Sequence, residues 1–96
     1  MINFVSVLAA ISASPTLIKQ LNELLASEIS LPNLPTPTMG GQVVWDTLAE
    51  CDGWRLQQNE LTKHCRILDP HDVRRAWGTK SGMFKALESL QNSVQS

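Results

Sequence analysis

The chain has 96 residues, of which 43% are hydrophobic and 18% are charged, and its formal net charge is −1 at pH 7. This length and composition fit one small globular domain, residues 1–96, which can bury a single core without much reserve. The near-neutral charge excludes a strong overall electrostatic attraction to nucleic acid or to a membrane surface.

The N-terminal part, residues 2–29, is predicted to form a helical hairpin. An apolar run that begins at Phe4 favours a short helix over 2–12, with a buried strand or a processed segment as alternatives. Ser14 and Pro15 then form a helix start signal, with serine as the N-cap and proline at the first helical position. Leucines and isoleucines follow at helical spacing, so we expect an amphipathic helix of about four turns that packs on the core.

Residues 30–41, SLPNLPTPTMGG, are predicted to be a connector. Pro32, Pro35 and Pro37 block helix formation, and the glycine pair after them allows free turning. The PxxP spacing is compatible with a polyproline ligand, but no flanking Arg or Lys supports that use. We therefore expect a loop laid over the domain.

The remainder, residues 42–95, is predicted to fold as a helix, a β-hairpin and two further helices. An apolar stripe at helical spacing, followed by a glycine that would end it, predicts the first of these helices over residues 42–52. The stripe consists of Val44, Trp45, Leu48 and Cys51, and the glycine is Gly53.

Alternation of apolar and polar residues predicts the single β-hairpin near residues 54–68. Trp54 and Leu56 alternate with polar residues on one strand, and Cys65 and Ile67 alternate with an arginine on the other. A loop of two or four residues puts all four apolar side chains on one face of the hairpin. The predicted register pairs Leu56 with Cys65 and Trp54 with Ile67.

The opposite face of this hairpin carries Arg55 and Arg66. The predicted register sets these two arginines directly opposite each other, an arrangement that is unfavourable for like charges. We therefore expect this face to be solvated or to contact something acidic.

A short helix is predicted to follow the hairpin. Asp69 can accept from free amides of its first turn, Pro70 fits the first helical position, and Asp72 adds favourable negative charge. Gly78 would end this helix, and apolar residues at helical spacing predict a last helix over about 81–94. The predicted fold class is therefore α+β: a small, mostly helical domain of about five helices with one β-hairpin.

The histidines and cysteines do not predict a metal or catalytic site. Zinc ligands usually come in close pairs, but Cys51 stands alone, and His64 and Cys65 are strand neighbours that point to opposite faces. Cys65 is predicted on an apolar face, where a thiol does not ionise readily, so a thiol enzyme is a minor alternative. We predict no enzyme activity, no cofactor and no metal. Two cysteines do not make the disulfide framework of a secreted protein, which favours a cytoplasmic location.

The main functional hypothesis is a protein–protein interaction or regulatory module. Tryptophan and arginine dominate the energetics of protein interfaces, and residues 54–77 contain all four arginines and two of the three tryptophans. The residues predicted to bind a partner are Arg55, Arg66, Arg74, Arg75 and Trp77. The partner would be another protein or a second copy of this chain, whose residues 1–50 carry one lysine against four carboxylates.

The alternative hypothesis is a weak nucleic-acid-binding protein. The segment 54–85 is basic although the whole chain is nearly neutral, and a basic stripe can bind phosphates. The residues predicted for this role are Arg55, Lys63, Arg66, Arg74, Arg75 and Lys80. No membrane partner is expected, because no apolar run approaches the ~20 residues of a spanning helix.

Overall fold

The computed structural model describes residues 3–26, 36–37 and 44–95. In chain order, the described elements are α1 (Phe4–Ala13), α2 (Leu17–Ala26), β1 (Thr36–Pro37), β2 (Trp45–Cys51), β3 (Trp54–Asn59), β4 (Cys65–Leu68), β5 (Val73–Gly78) and α3 (Lys80–Gln95). The strands form one antiparallel sheet in the order β1-β5-β4-β3-β2. The predicted mixed α+β class is confirmed, but the described residues contain three helices, so the prediction of about five is wrong.

The two N-terminal helices are confirmed. Asn3 begins α1, because its side-chain oxygen accepts the backbone N–H of Ser6 at 3.1 Å. The backbone carbonyl of Ser14 accepts the N–H of Leu17 at 3.0 Å where the chain turns into α2. Residues 27–29 of the predicted second helix, and most of the predicted connector, lie outside the described residues.

The segment predicted as a helix over 42–52 is strand β2, so that prediction is wrong. Asp52 and Gly53, at φ 53° and 87°, make the tight turn that joins β2 to β3. Two successive residues with positive φ are typical of the type I′ hairpin turn, for which Asp-Gly is a preferred pair. Gly53, which the sequence pattern predicts to end a helix, is therefore the second residue of a hairpin turn.

A β-bulge explains why β2 resembles a helix in sequence. The register shifts between Thr47 and Ala49, which makes Leu48 the extra residue, and Leu48 is 37% exposed. An extra residue breaks the alternation of two, so the apolar positions of this strand fall at helix-like spacing. The bulge also lies on an edge strand of the sheet, where bulges and charged residues discourage pairing with other chains.

Strands β3 and β4 form the predicted antiparallel hairpin, but its register is displaced by two residues from the predicted one. Leu56 pairs with Ile67 rather than with Cys65. A displacement of two preserves the face of every side chain, and Trp54, Leu56, Cys65 and Ile67 are all buried in the core. Ile67 is not the cross-strand partner of Trp54, and Arg55 and Arg66 are not partners of each other, so both of these predicted pairings are wrong.

The short helix predicted after this hairpin is wrong as well, because residues 73–78 form strand β5. Asp69 opens a β-turn in which its carbonyl accepts the N–H of Asp72 at 3.0 Å, with Pro70 at the second position. The carboxylate of Asp69 accepts the N–H groups of His71 at 2.8 Å and Val73 at 3.0 Å. A side chain that can cap a helix can equally stabilise a turn, and here β5 pairs with β4.

All three helices pack on one face of the sheet, the inner face, and build the core there. Helix α3 confirms the predicted last helix, and the side chain of Thr79 caps it by accepting the N–H of Gly82 at 3.1 Å. The buried cluster comprises Val7, Leu8, Ile11, Ile18, Leu21, Leu25, Ala49, Trp54, Leu56, Cys65, Ile67, Ala76, Met83, Ala86, Leu87 and Leu90. Side chains that alternate with the strand residues of this cluster project from the opposite face.

Candidate functional site

The face of the sheet opposite the helices, which we call the outer face, is the candidate site. Alternation along four strands and their pairing register assign its members. These are Trp45, Thr47, Glu50, Arg55, Gln57, Arg66, Leu68, Arg74 and Trp77. Strands β3, β4 and β5 each contribute one arginine, and β2 and β5 each contribute a tryptophan.

A row of hydrogen-bonded side chains crosses this face. Thr47, Gln57, Arg66 and Trp77 are successive cross-strand partners from β2 to β5. The Gln57 amide nitrogen donates to the Thr47 hydroxyl at 3.2 Å, and the Nε of Arg66 donates to the Gln57 amide oxygen at 2.9 Å. Gln57 and Arg66 are only 4% and 8% exposed, so the row holds the arginine in a fixed position.

Aromatic rings flank the basic groups of the outer face. The guanidinium carbon of Arg66 lies 3.9 Å from the ring centroid of Trp45, a close cation–π contact. The guanidinium carbon of Arg74 lies 5.6 Å from the ring centroid of Trp77. The His64 ring packs edge-on against Trp77, with 4.7 Å between the two ring centroids. Trp45 and Trp77 are half-buried, whereas Trp54 is 5% exposed and belongs to the core.

A second row, at the end of the face near the β4–β5 turn, combines two arginines with a leucine. Arg55 and Arg74 are the cross-strand partners of Leu68. Leu68 is 2% exposed although it lies outside the core cluster, which fits coverage by the aliphatic stems of its neighbours. Arg55 forms an ion pair with Asp72, and Glu50 is its cross-strand partner on β2, so carboxylates flank this arginine on both sides.

Arg66 has a different electrostatic environment. Burial lowers the pKa of its guanidinium, and the like charges of Arg55 and Arg74 lower it further. Among the residues that the structure describes, no carboxylate forms an ion pair with Arg66. A nearly buried cation next to two others is unfavourable unless an anion approaches it.

The structure brings together four of the five residues predicted to bind a partner and separates the fifth. Arg55, Arg66, Arg74 and Trp77 share the outer face, whereas Arg75 extends toward α2. There Arg75 contacts the carboxylate of Asp69 at 3.4 Å and lines a cleft of about 630 Å³. A bulge in β5 causes this separation, because the register shifts between the partners of Ile67 and Leu68. Arg75 therefore lies outside the candidate site.

Two lysines of the alternative hypothesis, Lys63 and Lys80, line a separate cleft of about 490 Å³ at the end of the sheet. The cleft lies between the β3–β4 turn and the start of α3, and the rest of its lining is His64, Ser81, Phe84 and two threonines. His64 also contacts Trp77, so the cleft adjoins the outer face.

The cysteines lie apart from the outer face. Burial raises the pKa of the Cys65 thiol to about 11, although the charge of Lys80 opposes this effect. Desolvation also raises the pKa of Cys51, and the neighbouring carboxylate of Asp52 raises it further. The described residues contain no group of three or more His, Cys, Asp or Glu side chains placed to hold a metal ion.

Sequence reasoning missed Gln57, Thr47 and the participation of Trp45. Gln57 is a polar residue that becomes buried because β2 and β4 pair on either side of it. Its burial can be recognised only when the register of those strands is known. The Asp52–Gly53 turn was a signal for the β2–β3 hairpin, but the pairing of Trp45 with Asn59 also depends on the bulge at Leu48.

The chain matches no protein-family model, no curated protein and no solved structure. None of the helices in the described residues has the length and apolar character needed to cross a bilayer.

Proposed function

We propose that this protein is a small cytoplasmic protein–protein interaction or regulatory module that docks a partner protein on its outer face. The observation that carries the proposal is the arrangement of Arg66, which is 8% exposed, stacked 3.9 Å from Trp45 and bonded to Gln57. The two free thiols, Cys51 and Cys65, support a reducing, cytoplasmic location.

Two physical features favour docking over a purely structural role for this face. Tryptophan and arginine are the side chains that contribute most to protein interfaces when they are fixed and partly desolvated. Trp45 and Trp77 are half-buried and retain surface that a partner can cover. Arg66 is ordered in advance, so binding does not have to immobilise a long side chain, which saves about 0.5–1.5 kcal/mol.

The test uses the purified chain with a partner isolated from the source cells and then purified. Trp77→Ala should weaken binding at least tenfold in calorimetry, because hot-spot tryptophans contribute about 2 kcal/mol or more. Leu61→Ala is the matched control, since Leu61 is 80% exposed on the β3–β4 turn and lies outside the outer face. Equal binding by both variants and the wild type would contradict the proposal.

Nucleic-acid binding is the second candidate function, and one observation favours it. Lys63 and Lys80 line a cleft that adjoins the outer face through His64, so cations and aromatic rings form one continuous surface. Single strands bind to surfaces that combine cations with stacking aromatics. A labelled single-stranded oligonucleotide would then bind with a steep salt dependence, and Lys63→Gln with Lys80→Gln would reduce that slope. Binding without salt dependence would exclude this function.

A further inference from the structure

We infer that the outer face recognises a carboxylate side chain in an acidic, partly apolar segment of the partner protein, and that Arg66 is the residue that receives it. This inference rests on the proposed docking function and adds the chemistry of the partner. Arg66 is more than nine-tenths buried and forms no ion pair with any residue that the structure describes.

The geometry of the guanidinium leaves the correct donors for a carboxylate. Its Nε donates to the Gln57 amide oxygen, and its guanidinium carbon lies 3.9 Å from the ring centroid of Trp45. The two terminal nitrogens make no hydrogen bond with a described residue. These two nitrogens can bind both oxygens of one carboxylate in a bidentate pair, a geometry that arginine provides and lysine does not.

The charges around Arg66 select one anion and limit its charge. Arg55 and Arg74 lie on the neighbouring strands and add positive potential beside Arg66. Burial is the main cause of the lowered pKa of Arg66, and these two charges lower it further. Arg55 is paired with Asp72 and has Glu50 as its cross-strand partner, so acidic groups beside it disfavour a second or a doubly charged anion. A singly charged carboxylate therefore fits this surface better than a phosphorylated group or a phosphodiester backbone.

The flanking tryptophans define the residues beside that carboxylate. Trp45 and Trp77 lie on either side of Arg66 and are half-buried. Apolar side chains next to the acidic residue would cover these rings, exclude water and strengthen the ion pair. The expected ligand is thus a peptide segment in which one Glu or Asp lies between apolar residues.

The experiment titrates the full chain with two short blocked peptides, one with a glutamate between leucines and one with glutamine at that position. The three indole N–H signals in a nitrogen–proton NMR spectrum report binding. We expect the signals of Trp45 and Trp77 to move, that of Trp54 to stay, and the glutamate peptide to bind about tenfold more tightly.

Variants assign the discrimination to Arg66. Arg66→Gln should abolish the preference for glutamate, and Arg66→Lys should restore only part of it because the bidentate geometry is lost. Lys85→Gln is the control for charge, because it removes one positive charge from an exposed position on α3. An unchanged Trp54 signal verifies that each variant is folded.

The possible results distinguish carboxylate recognition from the proposed docking function. Equal affinity for both peptides at Trp45 and Trp77 would overturn carboxylate recognition and leave docking intact. Failure of the glutamate peptide to move these signals would also overturn it, and the Trp77→Ala experiment would then judge docking alone. Displacement of the glutamate peptide by inorganic phosphate or an oligonucleotide at lower concentration would show that the site prefers phosphate chemistry, against the inference.

Discussion

Replacing the buried cation of the outer face with apolar side chains should make the protein more stable. The substitution pair is Arg66→Met with Gln57→Leu, which removes the guanidinium and also the amide oxygen that would lose its donor. Both side chains are nearly buried, at 8% and 4% exposure, so apolar groups of similar length can take their place. Changing Arg66 alone would leave the Gln57 oxygen unsatisfied, at a cost of about 1–3 kcal/mol.

The magnitude follows from opposing contributions. Loss of the cation–π contact with Trp45 costs about 1 kcal/mol, and up to about 2 kcal/mol if it is well desolvated. Replacing buried charged groups with apolar ones of similar volume is neutral to about 4 kcal/mol stabilising. With relief of repulsion from Arg55 and Arg74 acting in the same direction, we expect a net gain of up to about 3 kcal/mol in the free energy of unfolding.

The assay is urea unfolding monitored by tryptophan fluorescence, together with thermal unfolding. In a domain of this size, each kcal/mol changes the Tm by about 4–8 °C. Lys85→Met is the matched control for loss of a positive charge from an exposed position, and surface changes of this kind are usually within about 0.5 kcal/mol. If the double variant loses more than about 2 kcal/mol, Arg66 stabilises the fold, and the reasoning that assigns it to a partner is refuted.

Three further predictions concern the turns and the thiols. Gly53→Ala should cost about 2 kcal/mol in urea unfolding, since φ is 87° and a Cβ would lie 2.9 Å from the Cβ of Pro70; an unchanged midpoint would contradict this. Burial raises the pKa of Asp69, but hydrogen bonds from His71 and Val73 and the contact with Arg75 outweigh it and lower the pKa overall. The stabilisation from Asp69 is therefore present above its unfolded pKa of roughly 4 and is lost as pH falls through the lower folded value, so Asp69→Asn should flatten the acid side of a Tm–pH profile. Cys65 should react with a neutral thiol reagent only as fast as the protein unfolds locally, because its thiol is buried. In the Cys51→Ser variant Cys65 is the remaining thiol, and its rapid stoichiometric labelling in the native state would contradict the burial of Cys65.

The helices were predictable from sequence because their signals are local. Leucines and isoleucines at helical spacing after Ser14–Pro15 predict α2, and the apolar residues of 81–94 predict α3. Both signals require only neighbours within one or two turns. The burial of Trp54 and Leu56 on one face was predictable for the same reason, because alternation is also a local property.

The strands β2 and β5 were not predictable in this way, because each contains a bulge. The extra residue Leu48 in β2 and the register shift opposite Leu68 in β5 replace regular alternation with helix-like spacing. The β3–β4 register failed for a related reason. The loop is centred one residue later than expected, at Leu61–Thr62, with Lys63 at a positive φ of 64°. A one-residue change of loop centre moves the pairing by two and leaves the faces unchanged.

The composition of the candidate site was more predictable than its arrangement. Arg55, Arg66, Arg74 and Trp77 could be selected because arginine and tryptophan are concentrated in one part of the chain. Their separation from Arg75 depends on the bulge in β5, and the stacking of Arg66 on Trp45 depends on pairing across three strands. Contacts of that kind are properties of the register, which a single sequence specifies only weakly.

The outer face combines a cost to stability with an advantage for binding, and both arise from the same contacts. Trp45 and Gln57 hold the guanidinium of Arg66 in place before any partner arrives, which requires it to be desolvated next to two other arginines. A partner carboxylate would recover that cost on binding, since it meets an immobilised and poorly hydrated cation. The predicted stabilisation by Arg66→Met with Gln57→Leu and the predicted loss of carboxylate preference in Arg66→Gln are therefore two measurements of one property. Because the helices pack on the opposite face of the sheet, this property can change without disturbing the core.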